Sequence, residues 1–98
     1  MARIELAPEV GEDFERIFEH LASWQVDHPE ARIREIIAAI DLLAHSPLIG
    51  RPSRTGKREL VIGRGSHGYV ALYQYVPEID TVFVLAIKSQ REAGDLRG

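Results

Sequence analysis

Cysteine is absent from the 98 residues. That excludes a disulfide framework, a thiolate zinc site and a cysteine nucleophile, and it fits a reducing compartment. Asparagine is absent as well, so the chain offers neither N-linked glycosylation nor amide readout of adenine through that residue. No apolar run approaches the ~20 residues of a membrane span. The N-terminus, MARIELAPEV, lacks the basic, apolar and small-residue regions of a signal peptide. The four histidines (His20, His28, His45, His67) lack zinc-ligand spacing, and neither HExxH nor a G-x-S-x-G elbow occurs. No metal and no cofactor is expected, and no membrane partner. One cytoplasmic domain spanning residues 1–98 is the expectation.

Hydrophobic residues make up 45% of the chain and charged residues 28%, a globular composition rather than a disordered one. A domain of this size buries roughly 60–65% of the surface its unfolded chain exposes, so its core is small. The net charge of −3 conceals an asymmetry. Residues 1–49 carry four basic and ten acidic side chains, and residues 50–98 carry eight basic and five acidic ones. A locally positive surface is therefore compatible with an acidic chain. A loop-rich, well-solvated half accounts for the same charges.

Arg3 to Ala7 alternates polar and apolar, the period of a half-buried strand. Pro8 suits the first turn of a helix, and Glu9, Glu12 and Asp13 follow where the helix dipole favours acids. Val10, Phe14, Ile17, Phe18 and Leu21 recur at helical spacing, and the pattern weakens around Trp24 to Asp27. A second helix is expected from about Pro29 to Ala44, with Ile33, Ile36, Ile37, Ile40 and Leu43 on its buried side. Ser46-Pro47 ends it. The two helices should fold back as an antiparallel hairpin.

Residues 47–57 (PLIGRPSRTGK) read as a loop. Three β-rich runs follow: Arg58 to Ile62, Tyr69 to Val76 and Thr81 to Ile87. Pro77 to Asp80 makes a tight link between the last two, and the third run, apolar on both faces, suggests an interior strand. The order β-α-α-β-β-β gives an α+β domain, a helical hairpin on a three- to four-stranded, mainly antiparallel sheet. Tyr69, Ala71, Tyr73 and Tyr75 share one side of their strand. That side is the candidate for an exposed, partner-facing surface, because a phenol tolerates a half-wet site. Plain packing of the rings along the sheet is the other reading.

Gly63-Arg64-Gly65-Ser66-His67-Gly68 matches the letters of a dinucleotide fingerprint, but a strand rather than a helix follows it, so a hairpin loop is expected. The remaining chemistry lies in a basic set around the strands: Lys57, Arg58, Arg64, Lys88 and Arg91. If the first and last of these strands are neighbours, the cluster converges and can hold phosphates or an acidic protein surface. Solvated strand-end charges are the alternative.

The layout resembles the RelE/ParE toxins of type II toxin–antitoxin systems over almost the whole chain. The resemblance is carried by DFERIFEHLA (Asp13 to Ala22), LLAHSPLIGRP (Leu42 to Pro52), KREL (Lys57 to Leu60), GYVALYQYV (Gly68 to Val76) and VFVLAIKSQREAG (Val82 to Gly94). The S-P-x-x-G-R-P segment and the x-R-E-L strand are particularly like the ParE branch. RelE-like members are implied to cut mRNA on the ribosome, which here would fall to Arg58, Tyr73, Lys88 and Arg91. ParE-like members are implied to poison DNA gyrase and need no catalytic residues. Where the family often has a histidine before Q-R-E-A-G and a tyrosine after it, this chain has Ser89 and Asp95. Both changes remove a proton carrier, so the ParE-like function is expected, with Lys57, Arg58, Arg64, Lys88 and Arg91 as target-binding residues. The resemblance also implies a hetero-oligomer with a ParD-like antitoxin, seated on Phe14, Ile17, Phe18, Leu21, Ile33 and Ile37.

Overall fold

The computed structural model of the chain describes residues 1–24, 27–64 and 68–90. A short strand β1 (Arg3–Leu6) runs into α1 (Pro8–Ser23), and α2 (Pro29–Asp41) follows. Both helices start on proline, whose missing N–H is one of the donors a helix start leaves unpaired. A 3₁₀ turn over Leu42–Ala44 prolongs α2, and its Ala44 carbonyl accepts the Ala2 N–H at 2.7 Å. Then come β2 (Arg51–Pro52), β3 (Arg58–Ile62), β4 (Tyr69–Val76) and β5 (Thr81–Ser89). Among the described residues no helix is long and apolar enough to cross a membrane.

The five strands lie in the order β1-β5-β4-β3-β2. Among the described residues only β1 and β5 run parallel, and the other pairs are antiparallel. The expected helical hairpin on a mainly antiparallel sheet is present, with one strand more than the periodicity revealed. That strand, β2, is two residues long and half proline, so it has no pattern to read. Proline is tolerated there because β2 is an edge strand. Pro77–Ile79 forms the expected tight link, closed by Asp80 in the left-handed region at φ 46°.

The tyrosine side of β4 faces the helices, not a partner. Across the sheet Tyr75 pairs with Val82, Tyr73 with Val84 and Ala71 with Ile87, while Leu60 and Ile62 of β3 stand opposite Ala71 and Tyr69. This apolar face is covered by Val10 and Ile17 of α1, Ile36 and Ile40 of α2, and Leu43. Tyr73 is fully buried, and Tyr69 and Tyr75 pack half-buried against the same core. Both sides of β4 are apolar in sequence, so the face is decided by the neighbouring strands. On the opposite face Leu72 and Phe83 are half-buried and Val61 is exposed.

A β-bulge explains why Thr81–Ile87 shows no clean alternation. Tyr73 pairs with Val84 but Leu72 pairs with Ala86, so Leu85 is an extra residue on β5. The bulge shifts the parity, and Val84 and Ile87 both reach the core although three residues apart.

Asp13 is the buried acid that seats α1 on this sheet. It is 5% exposed, and its Oδ2 accepts the Ile87 N–H at 2.9 Å. Its Oδ1 accepts from Arg16 Nη1 at 2.8 Å, and Arg16 Nη2 donates to the Ile87 carbonyl at 3.1 Å. Lys88 Nζ lies 3.9 Å from the same Oδ1. The N–H and C=O of one strand residue point to the same edge, and β1 ends at Leu6 opposite Val84. Beyond that point two side chains of α1 take the place of a neighbouring strand. Asp13 is thus more than an early-turn acid. It falls three residues after Val10 and four before Ile17, on the buried stripe, and that spacing is the sequence signal for its role.

Asp13→Ala leaves the buried Ile87 N–H without its acceptor and should cost about 1–3 kcal/mol. Asp13→Asn keeps an acceptor oxygen and should cost less. Urea unfolding checks both, as a lower midpoint at unchanged slope.

Candidate functional site

The S-P-x-x-G-R-P segment forms a loop fastened at nearly every step. The His45 and Ser46 N–H groups donate to the Leu42 carbonyl at 3.1 and 3.0 Å, and the Ile49 N–H donates to the Ser46 carbonyl at 3.2 Å. The Gly50 N–H donates to the Tyr73 hydroxyl at 2.9 Å. Arg58 Nη1 donates to the Gly50 carbonyl at 2.7 Å and to the Leu48 carbonyl at 3.2 Å. Arg58 and Tyr73 are cross-strand partners, so guanidinium and phenol reach the same loop from adjacent strands. A Cβ on Gly50 would sit 2.6 Å from the Tyr73 hydroxyl and 2.9 Å from the Glu59 carbonyl. Only glycine fits.

Burial pushes the Tyr73 hydroxyl above the ordinary tyrosine value, although the Gly50 bond and the nearby Arg58 charge pull the other way. Burial also raises Tyr69, and the hydrogen bond to Asp80 is the main cause of the rise at Tyr75. The buried phenol, its oxygen accepting a backbone N–H, anchors the loop to the core.

Among the described residues, Lys57 and Arg58 do not converge with Lys88. β3 and β5 are both antiparallel to β4, which lies between them. Arg58 stands opposite Tyr73 and Lys88 opposite Val70, two strands apart and about 10 Å along the sheet. Lys57 Nζ lies 3.0 Å from the Thr55 hydroxyl. Arg64 is exposed just past β3, at the end of the sheet where Ser89 pairs with Tyr69, so it shares that end with Lys88. Arg91 and Asp95 lie outside the described residues, as does His67. Among the described residues no group of three His, Asp or Glu is placed to hold a metal ion.

The residues expected to seat an antitoxin divide. Ile17 belongs to the core, and Phe14, Leu21 and Ile33 are half-buried against it. Phe18 on α1 and Ile37 on α2 are each 44% exposed. Sequence reasoning passed over the loop crest, where Leu48 and Ile49 are 59% and 51% exposed. Two large aliphatics inside a basic, glycine- and proline-rich loop were the available signal.

Tyr73→Phe removes the acceptor of a buried N–H and should cost about 1–3 kcal/mol, and Gly50→Ala, which forces a Cβ into the phenol, a similar amount. Thermal unfolding measures both. All three tyrosines titrate higher in the fold than in the unfolded chain. Their contribution to stability is therefore complete below pH ~10 and is lost as pH rises beyond it. Tyr73→Phe should flatten that alkaline decline, read from unfolding midpoints between neutral and alkaline pH.

The fold and sequence have clear relatives. The family model described as the ParE toxin of the type II toxin–antitoxin system parDE matches residues 4–94. Toxin RelE3 of Caulobacter vibrioides is 28% identical over 92 residues, which is 94% of this chain and 98% of that protein. Among solved structures, the chromosomal ParDE toxin–antitoxin system from P. aeruginosa aligns with a TM-score of 0.73 at 20% identity, covering 91% of this chain and 96% of that one. The RelBE2 toxin–antitoxin complex from Mycobacterium tuberculosis aligns with a TM-score of 0.57 at 20% identity, covering 91% and 98%. These structural likenesses concern the fold alone, whereas the family match spans nearly the whole sequence: the chain belongs to the ParE toxin family of type II toxin–antitoxin systems.

Proposed function

We propose that this toxin acts by binding DNA gyrase and blocking it, without cutting RNA, and that a ParD-like antitoxin neutralises it. The observation that carries the reading is the engagement of the groups a ribonuclease would need. Cleavage of mRNA calls for a base at the 2′-OH, cations for the developing phosphate charge and an acid for the leaving oxygen. Tyr73 is fully buried with its hydroxyl on Gly50. Arg58 is bound to two carbonyls, and Lys88 lies beside the buried Asp13 carboxylate. The net charge of −3 also supports a protein target, since affinity for RNA is drawn largely from phosphate contacts.

The antitoxin fits the helical side. The solved relatives are the ParDE system and the RelBE2 complex, and Phe18 and Ile37 offer half-exposed apolar seats for an amphipathic segment. The acidic first half of the chain complements basic side chains on such a segment. Lys57, Arg58, Arg64, Lys88 and Arg91 are the basic residues proposed for the target, and of the described ones Arg64 is the exposed one.

A RelE-like, ribosome-dependent endoribonuclease is the second reading, supported by the 28% identity to Toxin RelE3. Its working residues would be Arg58, Tyr73, Lys88 and Arg91. Side-by-side assays separate the two. Purified toxin is expected to inhibit gyrase supercoiling and to leave ribosome-bound mRNA intact, with addition of the antitoxin restoring supercoiling. Normal supercoiling at high toxin excess, together with mRNA cleavage that collapses in Arg58→Ala, would establish the second reading instead.

A further inference from the structure

We propose that the loop joining α2 to β3 is the element that docks on the toxin's target, inserting Leu48 and Ile49 into an apolar slot whose rim is acidic protein surface. The inference deepens the gyrase reading and rests on it.

Three observations carry it. The first is exposure without freedom. Leu48 and Ile49 are consecutive large aliphatics, both more than half exposed, yet the backbone beneath them is held at the Ser46, Leu48 and Gly50 carbonyls and at the Gly50 N–H. A loop already fixed in shape loses little conformational freedom on binding, which is the condition under which a small apolar contact becomes an effective anchor. A solvent-facing loop with no partner gains nothing from displaying two such side chains on a rigid crest.

The second observation is charge. Between Asp41 and Glu59 the chain has no acidic residue, while Arg51, Arg54, Lys57 and Arg58 all fall in that interval. Arg51 is paired with Glu59 at 3.0 Å, and Arg58 is turned inward to the carbonyls. The charge left for a partner is that of Arg54, which is exposed, and of half-buried Lys57, whose Nζ donates to the neutral Thr55 hydroxyl. Two cations on the same connection as two aliphatics match an apolar slot rimmed by a few carboxylates.

The third observation distinguishes protein from nucleic acid. Residues 42–58 contain no Phe, Tyr or Trp. Binding of single strands relies on aromatic platforms for the bases, and binding of duplex on many phosphate contacts. This loop provides aliphatic anchors and two available cations, which is the composition of a protein contact. It is also distinct from the Phe18 and Ile37 seats on the helices, so target and antitoxin contacts separate by mutation.

The test uses purified full-length toxin with reconstituted gyrase and relaxed plasmid. Leu48→Asp/Ile49→Asp should raise the concentration needed to inhibit supercoiling by about tenfold or more, while antitoxin affinity stays within about twofold and the circular dichroism spectrum is unchanged. Arg54→Glu/Lys57→Glu, a second variant that leaves the core untouched, should weaken inhibition and remove its salt dependence. Wild-type inhibition with undiminished potency in both variants overturns the docking role and leaves the gyrase reading standing. Wild-type protein that never inhibits supercoiling overturns the gyrase reading itself, and the docking role with it. Parallel loss of antitoxin affinity, or binding of a DNA or RNA oligonucleotide that the Leu48/Ile49 variant abolishes, assigns the crest to another partner and also overturns the proposal. Should the aspartate pair fail to fold, the charge-reversal variant decides alone.

Discussion

The structure depends on one carboxylate being in the right place under a helix. β1 covers only the first four residues of β5, and the remainder of that edge would otherwise present bare backbone groups beneath α1. Asp13 takes the Ile87 N–H, and its partner Arg16 takes the Ile87 carbonyl. Because both side chains project from α1, the same bonds that satisfy the strand fix where the helix sits along it. Val10 and Ile17, one turn to either side, are thereby delivered over the strand's core face. A hydrophobic stripe alone would tolerate sliding by a turn; a buried, fully partnered acid does not.

A second polar anchor lies toward the other edge of the sheet, where Tyr73 and Arg58 fasten the loop after α2. The two anchors have different logics. Asp13 substitutes for a missing strand, whereas Tyr73 sends its hydroxyl through the core to meet backbone on the other side. Among the described residues no buried side-chain polar atom is left without a partner. The polar groups of this small core are therefore costly to remove one at a time, and each fixes an element that apolar contact alone would leave adjustable.

Much of the fold was legible in the sequence because its elements carry strong periodicity. α1 begins at Pro8 as the pattern requires, and the helical stretch from Pro29 reaches Ala44 once the 3₁₀ turn is included. What was not legible depended on neighbours distant in the chain. β4 has apolar residues on both sides, so only its pairing with Leu60, Ile62, Val82, Val84 and Ile87 makes the tyrosine side the inner one. The convergence of Lys57 and Arg58 with Lys88 hinged on strand order, and β4 intervenes. Two-residue β2 has no period at all. Asp13 was readable in principle, since it stands on the buried stripe, but an acid near a helix start has a simpler local explanation that hides the long-range one.

The bulge in β5 bears on how this family member can change in length. The ladder on either side of Leu85 is regular, and the pairs flanking it, Tyr73–Val84 and Leu72–Ala86, would become consecutive if that residue were lost. A chain shorter by one at that position closes into an unbroken ladder with Val82, Val84 and Ile87 still turned inward. An added residue has no such resting place, because it would turn Ile87 outward and pull its backbone away from Asp13. Drift in strand length is therefore one-sided here: β5 holds one residue in reserve and has room for none beyond it.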